Sequence, residues 1–182
     1  MARLRVIDPD STSGPVREIF DGPLKGKHLN IFKGMANAPA ALSAYLGMAK
    51  ALGEGVLTPA EREVVALVTG QHTGCDYCLA AHTHLAKQAG LSESQTLQAR
   101  RGEMDDPRLD ALARFTKAVL ETNGSVDDAE LDAFRKAGYT DQHVAEVVAA
   151  IGLNLYTNLF NHVNQTELDL PKAPALEPAP SA

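Results

Sequence analysis

The sequence has no apolar run approaching the ~18 residues that cross a bilayer, no Lys/Arg cluster, no glycine-rich phosphate loop and no third cysteine. Each absence removes a class of function. Acids and prolines follow Arg3 and Arg5 where a signal peptide needs an apolar stretch, so the chain reads as a soluble cytoplasmic protein with no membrane partner. A net charge of −6 and a pI near 5.5 leave nothing to neutralise a phosphate backbone, which argues against nucleic acid and for small molecules or proteins. Runs rich in Val, Ile and Thr bounded by hairpin turns are also missing, which argues against a sheet.

What is present is helical spacing. The 182 residues suffice for one core, and the apolar positions predict an all-α chain, a compact bundle of short-looped, antiparallel helices. Short helices are expected near 14–21 and 28–36, and a stronger one from Pro39 to Leu52. Thr58-Pro59-Ala60-Glu61 reads as a capping box opening a helix to about Gln71. Thr73, with Asp76 three residues on, is expected to cap the next helix, which Gly90 ends. Ser92 with Gln95, Pro107 to Thr122, and Asp127 to Lys136 supply three more. After Gly138 the longest helix opens at Thr140, with Val144, Val147, Val148, Ile151, Leu155 and Leu159 as its expected core stripe. Beside it Asn154, Asn158, Asn161 and His162 form a polar stripe, read as a solvated or subunit-facing edge. Residues 1–169 are taken as one domain with its core at about 39–165, and the Pro/Ala-rich 170–182 as a flexible tail.

Both cysteines sit in "CDYCLAAH", residues 75–82. In a reducing compartment a chain of this size has no need of a structural staple, so their closeness asks for chemistry. On a helix Cys75 and Cys78 are about 60° apart and Cys78 and His82 about 40° apart, one shared face. One turn separates the two Cα atoms by roughly 5 Å, which a disulfide tolerates. A cap at Thr73 places Cys75 in the first turn, where free amides and the macrodipole favour a thiolate. A proton route is still needed; His82 is one member, and the preceding helix offers Glu61 or Glu63, between which spacing does not choose. Zinc is an alternative, with His82 or His84 as further ligands, but no second Cys/His pair completes four. Haem attachment fails because Leu79 follows Cys78. Two inert buried thiols are the remaining bland reading.

"EVVALVTGQHTGCDYCLAAH", residues 63–82, resembles the core of the alkylhydroperoxidase D-like branch of the carboxymuconolactone decarboxylase superfamily, with its pattern E-x11-C-x2-C-x3-H. Glu63, Cys75, Cys78 and His82 match it, and the similarity, to the longer peroxidase-related members, runs from about 39 to 165. The resemblance implies an all-helical fold assembled into trimers or hexamers, and a thiol peroxidase that needs no haem, flavin or metal. Its substrate would be hydrogen peroxide or an organic hydroperoxide, and its partner a dithiol reductant protein of lipoamide or thioredoxin type. By position Cys78 would be the peroxidatic nucleophile, Cys75 the resolving thiol, and Glu63 with His82 the proton relay. The chain departs from the pattern at Tyr77, where well-studied hydroperoxidases of this type carry a histidine. A phenol of pKa near 10 is a weaker acid–base group than imidazole, though it remains a candidate relay member. Two other readings stay open: a non-catalytic redox-responsive oligomer, and a lyase or isomerase of the decarboxylase type, against which the paired cysteines argue.

Overall fold

Capping residues set most of the helix ends in the computed structural model, which describes residues 1–176. The helices are α1 (Gly14–Asp21), α2 (Asn30–Met35), α3 (Pro39–Gly53), α4 (Pro59–Thr73), α5 (Asp76–Gln88), α6 (Glu93–Arg101), α7 (Pro107–Glu121), α8 (Asp128–Lys136) and α9 (Asp141–Asn164). No strand occurs among the described residues. The Thr58/Glu61 and Ser92/Gln95 capping boxes both form, and Asp106 and Asp127 accept from first-turn amides of α7 and α8.

The core lies around α4, which packs against α5, α6, α7 and α9. Val64, Val65 and Leu67 are wholly buried there against Leu112 and Phe115 of α7 and Val147 and Ile151 of α9. Each such side chain contributes about 1.5–3 kcal/mol by leaving water. At one end Phe115, Phe134 and Tyr139 stack with centroids 4.3 and 4.2 Å apart, and the Arg108 guanidinium covers Tyr139. A second cluster joins Val16 and Phe20 of α1, Ile31, Phe32 and Met35 of α2, and Leu42 of α3 to Cys75, Tyr77 and Cys78. Here α2 lies so close to α9 that a Cβ on Gly34 would stand 2.8 Å from Asn164 Nδ2, which excludes larger residues. The N-terminal segment is tied to the end of α9, where Arg3 N and Leu4 N donate to Asn164.

Two expectations fail. Thr73 does not cap α5; it is the last residue of α4, its hydroxyl turned back onto Thr69 O. Gly74 in the left-handed region (φ 68°) then lets Cys75 N reach Gly70 O, and the N-cap of α5 is Cys75 itself. A glycine able to take positive φ overrides the weaker hydroxyl signal one residue earlier.

The second failure is the orientation of the C-terminal half of α9. Val147, Ala150 and Ile151 face inward, but Val148 and Leu159 of the expected core stripe are exposed, Leu159 by 59%. Val144 and Leu155 are half-buried at the core's edge. Asn154, Asn158 and Asn161, read as an edge, are buried together with Asn164, and of that stripe only His162 is exposed. Steps of four and three from Val147 through Ile151 reach Asn154, Asn158 and Asn161, so a straight helix that buries the first pair carries the asparagines inward.

Of the segment read as a tail, residues 171–176 are irregular; Pro174 O accepts from Arg100 Nη1 and Ala173 packs on the core. The remainder, 177–182, lies outside the described residues.

Candidate active site

The turn between α4 and α5 places the two cysteines at a helix start. Cys75, as N-cap, accepts a hydrogen bond from Cys78 N at 3.3 Å, and Cys78 follows at the third helical position. Their Cα atoms are 5.3 Å apart, the sulfurs are joined as a disulfide, and both residues are buried. The first-turn N–H groups of a helix have no carbonyl acceptor within it, and here Cys78 N donates to Cys75 Sγ, so the positive end of the macrodipole lies at the sulfurs.

One turn further along α5, His82 Nδ1 lies 2.8 Å from Glu63 Oε2 on α4, both half-buried. The other candidate carboxylate is engaged elsewhere. Glu61 closes the capping box through Thr58 N and accepts from Arg108 Nε at 3.1 Å. Burial pushes the Glu61 carboxyl up, but hydrogen bonds from Thr58 and Tyr139 and the charge of Arg108 outweigh it and hold the group below its ordinary range.

Cys78 and His82 open together onto a cavity of about 90 Å³. Its walls are mainly apolar: Leu29, Ile31 and Phe32 before and on α2, Tyr45 on α3, and Leu85 on α5, with Thr157 and Asn161 of α9 at its floor. Burial, and then the Glu63 carboxylate, push the Tyr45 phenol up. A separate, more polar cavity of about 250 Å³ borders Cys75, between Asp76, His162, Gln165 and Thr166. A larger one of about 390 Å³, between Asp76, Arg100 and the 166–175 segment, touches neither sulfur.

Tyr77 belongs to the wall, but its hydroxyl donates to Asp169 Oδ1 at 2.7 Å and accepts from Ile31 N at 3.4 Å. Burial and the hydrogen bond to Asp169 both push the phenol up. The described hydrogen bonds tie it to α2 and the C-terminal segment and to neither His82 nor Cys78. Two residues, Tyr45 and Asp169, escaped the sequence reading, and a third, Asn161, was read as an edge and not as part of the site. Asn161 points its amide at the sulfurs, and the four–three spacing from Ile151 was the signal for it. Tyr45 and Asp169 arrive from distant segments and left no local signal. Among the described residues no group of three or more His, Cys, Asp and Glu is arranged to hold a metal ion.

Residues 38–121 match the carboxymuconolactone decarboxylase family. The match covers a little under half of the chain, and over that stretch the sequence is of the carboxymuconolactone decarboxylase type. The matched stretch spans α3 to α7 and contains Glu63, Cys75, Cys78 and His82; α9 lies outside it. Among solved structures the chain is similar to an alkylhydroperoxidase AhpD core, an uncharacterised peroxidase-related protein from Ralstonia eutropha JMP134, with 22% identity, 92% of each chain covered and a TM-score of 0.81. A peroxidase-related protein from Silicibacter sp. TM1040 superposes with a TM-score of 0.76 at 23% identity, covering 91% of this chain and 89% of that one. The debrominase Bmp8, as a cysteine-to-alanine variant bound to 2,3,4-tribromopyrrole, gives 0.73 at 18% identity, covering 93% and 94%. No curated protein matches the sequence. At these identities the superpositions establish the AhpD-like fold. No described helix is long and apolar enough to cross a membrane.

Proposed function

We propose that this protein is a thiol-dependent peroxidase of the alkylhydroperoxidase D-like, carboxymuconolactone decarboxylase superfamily that reduces hydrogen peroxide or a small organic hydroperoxide. The observation that carries the reading is the disulfide-forming pair at the start of α5, whose Cys78 shares one cavity with a His82 held by Glu63. In the reduced protein the Cys78 thiolate attacks one peroxide oxygen, the O–O bond breaks, and the departing alkoxide takes a proton relayed through His82 and Glu63. Cys78 is left as a sulfenic acid. The Cys75 thiol condenses with it, the oxygen leaves as water, and two electrons have passed from two thiols to the peroxide. A dithiol reductant, of the lipoamide or thioredoxin kind, then takes up the disulfide.

Small apolar walls suit an alkyl hydroperoxide, and the free amides of the helix start favour the thiolate. The rings of Phe32 and Tyr45 also suit a flat halogenated substrate of the kind named for Bmp8, which the same two-electron dithiol would reduce to the arene and halide. Assembly belongs to the same proposal. Val148, Tyr156, Leu159 and Val163 form an exposed apolar stripe along α9, continued by Met48, which supports self-association; three or six copies are what the family resemblance implies.

The deciding measurement is mass spectrometry of the Cys75/Cys78 peptide before and after one equivalent of hydroperoxide, with residual peroxide quantified in the same tube. Disulfide formed in step with peroxide lost is expected. Cys78→Ser should abolish peroxide consumption, and Cys75→Ser should allow one turnover and trap a sulfenic acid. Peroxide and thiols both left intact would reject the reading; a single oxidation without turnover in the presence of a dithiol would favour a redox-responsive protein instead. Tribromopyrrole in place of peroxide separates the dehalogenase reading.

A further inference from the structure

Asn161 is 5% exposed, deep in a helix, and its side-chain amide is spent on sulfur: Nδ2 lies 3.4 Å from Cys78 Sγ and 4.0 Å from Cys75 Sγ. Its Oδ1 is buried with no hydrogen-bond partner. An apolar side chain would fill the same space without an orphaned oxygen, so the amide works against stability at this position. Disulfide sulfur is a weak acceptor, whereas a thiolate is a charged one, and hydrogen bonds to charged acceptors are roughly twice as strong as neutral ones.

We propose that Asn161 holds the Cys78 thiolate, donating from Nδ2 to the sulfur in the reduced protein, and so sets how readily the pair is ionised and reduced. The inference deepens the peroxidase reading and rests on it only for its effect on turnover. The helix-start amides favour a thiolate through the backbone, but among the described residues no other side chain facing Cys78 donates to its sulfur. Those side chains are the N-cap Cys75, Tyr77 and His82 on α5 and Tyr45 on α3, with Glu63 of α4 behind His82; α2 presents only Ile31 and Phe32, and α9 adds neutral Thr157. Both phenols are raised by burial and stay neutral, so they bring no charge to the sulfur. Asn161 is the one amide among the described residues that line this cavity. A donor to the thiolate stabilises the dithiol side of the couple, because the bond weakens when the sulfur charge is lost in the disulfide.

The test titrates the Cys78 thiolate by its ultraviolet absorbance in Cys75→Ser, with and without Asn161→Leu, so that a single thiol is read. Loss of Asn161 should raise the thiol pKa by roughly one unit, a tenfold loss of thiolate at pH values below it. In the two-cysteine protein, equilibrated with a dithiol buffer at a pH above the thiol pKa of both proteins, Asn161→Leu should shift the balance about tenfold toward the disulfide, which is about 30 mV. A folded variant with unchanged thiol pKa and unchanged redox equilibrium overturns the proposal, since a packing role would move stability alone. Should the leucine variant fail to fold, Asn161→Asp keeps the shape and sets a carboxylate against the thiolate; it must raise the pKa at least as far, and no shift there is equally fatal. Peroxide consumption is followed in parallel. If the wild type consumes none while the thiol pKa responds to Asn161, the peroxidase reading falls and the role of Asn161 stands.

Discussion

The two halves of α9 are built on one stripe with opposite chemistry. From Asp141 to Ile151 the buried face is Val147, Ala150 and Ile151, packed into the apolar core around α4. From Asn154 to Asn164 the same face is Asn154, Thr157, Asn158, Asn161 and Asn164, set against the start of α5 and the thiols. The difference separates what holds the fold from what serves the site. The buried side chains of the first half are all apolar and carry no polar atom to satisfy. Two of the asparagines in the second half have a buried side-chain oxygen with no partner. A helix that only needed to be stable would have carried leucine there.

The largest test of this contrast is in the apolar half. Ile151→Ala should lower stability by about 2–5 kcal/mol, read as a fall in the urea midpoint at constant slope, and leave peroxide consumption per folded molecule unchanged. A cost near that of a surface substitution would erase the distinction between the halves. The apolar side should also be the side that fails in acid. Glu61 is held below its ordinary carboxyl range, so the stability it contributes is present above its unfolded pKa of about 4.3 and is lost as pH falls through the lower folded value. Glu61→Gln should therefore cost about 1–2 kcal/mol at neutral pH, and the gap in melting temperature from wild type should close in acid. A gap that persists unchanged at low pH would show that the carboxylate charge is not what matters.

On the thiol side the expected effects are smaller. Asn158→Leu loses one hydrogen bond to Thr73 but also removes an orphaned oxygen, so its stability change should stay within about 1 kcal/mol of zero. A loss as large as that of Ile151→Ala would place the asparagines among the structural residues. Tyr77→Phe removes the bonds to Asp169 and Ile31 N and should cost about 1 kcal/mol with peroxide consumption intact. Consumption that falls while the melting temperature holds would instead put the phenol in the proton route.

Much of the molecule is legible in the sequence because its signals are local. Capping boxes at Thr58 and Ser92, prolines at first helical positions and the acid caps before α7 and α8 need no distant partner, and all of them form. The C-x-x-C spacing likewise carries its own geometry, since one helical turn brings two sulfurs together wherever the helix lies. The Glu63–His82 contact was legible only through the family pattern; spacing alone left Glu61 equal to it. Thr73 misled because a hydroxyl and a left-handed glycine compete for one boundary, and the glycine closes two carbonyls where the hydroxyl would satisfy one amide. Hydrophobicity misled in α9 because Leu159 and Val163 are more apolar than Asn158 and Asn161, yet stand outside.

By itself, then, the sequence determined an all-helical chain, the order and most of the ends of its helices, and a pair of thiols one turn apart, because each follows from interactions within a few residues. Only the tertiary structure decided which carboxylate meets His82, that Asp169 ties down Tyr77, and that the asparagines of α9 face the sulfurs. Those depend on how α3, α4, α5 and α9 pack together, and a side chain's polarity does not choose the face once the rest of its helix has been buried.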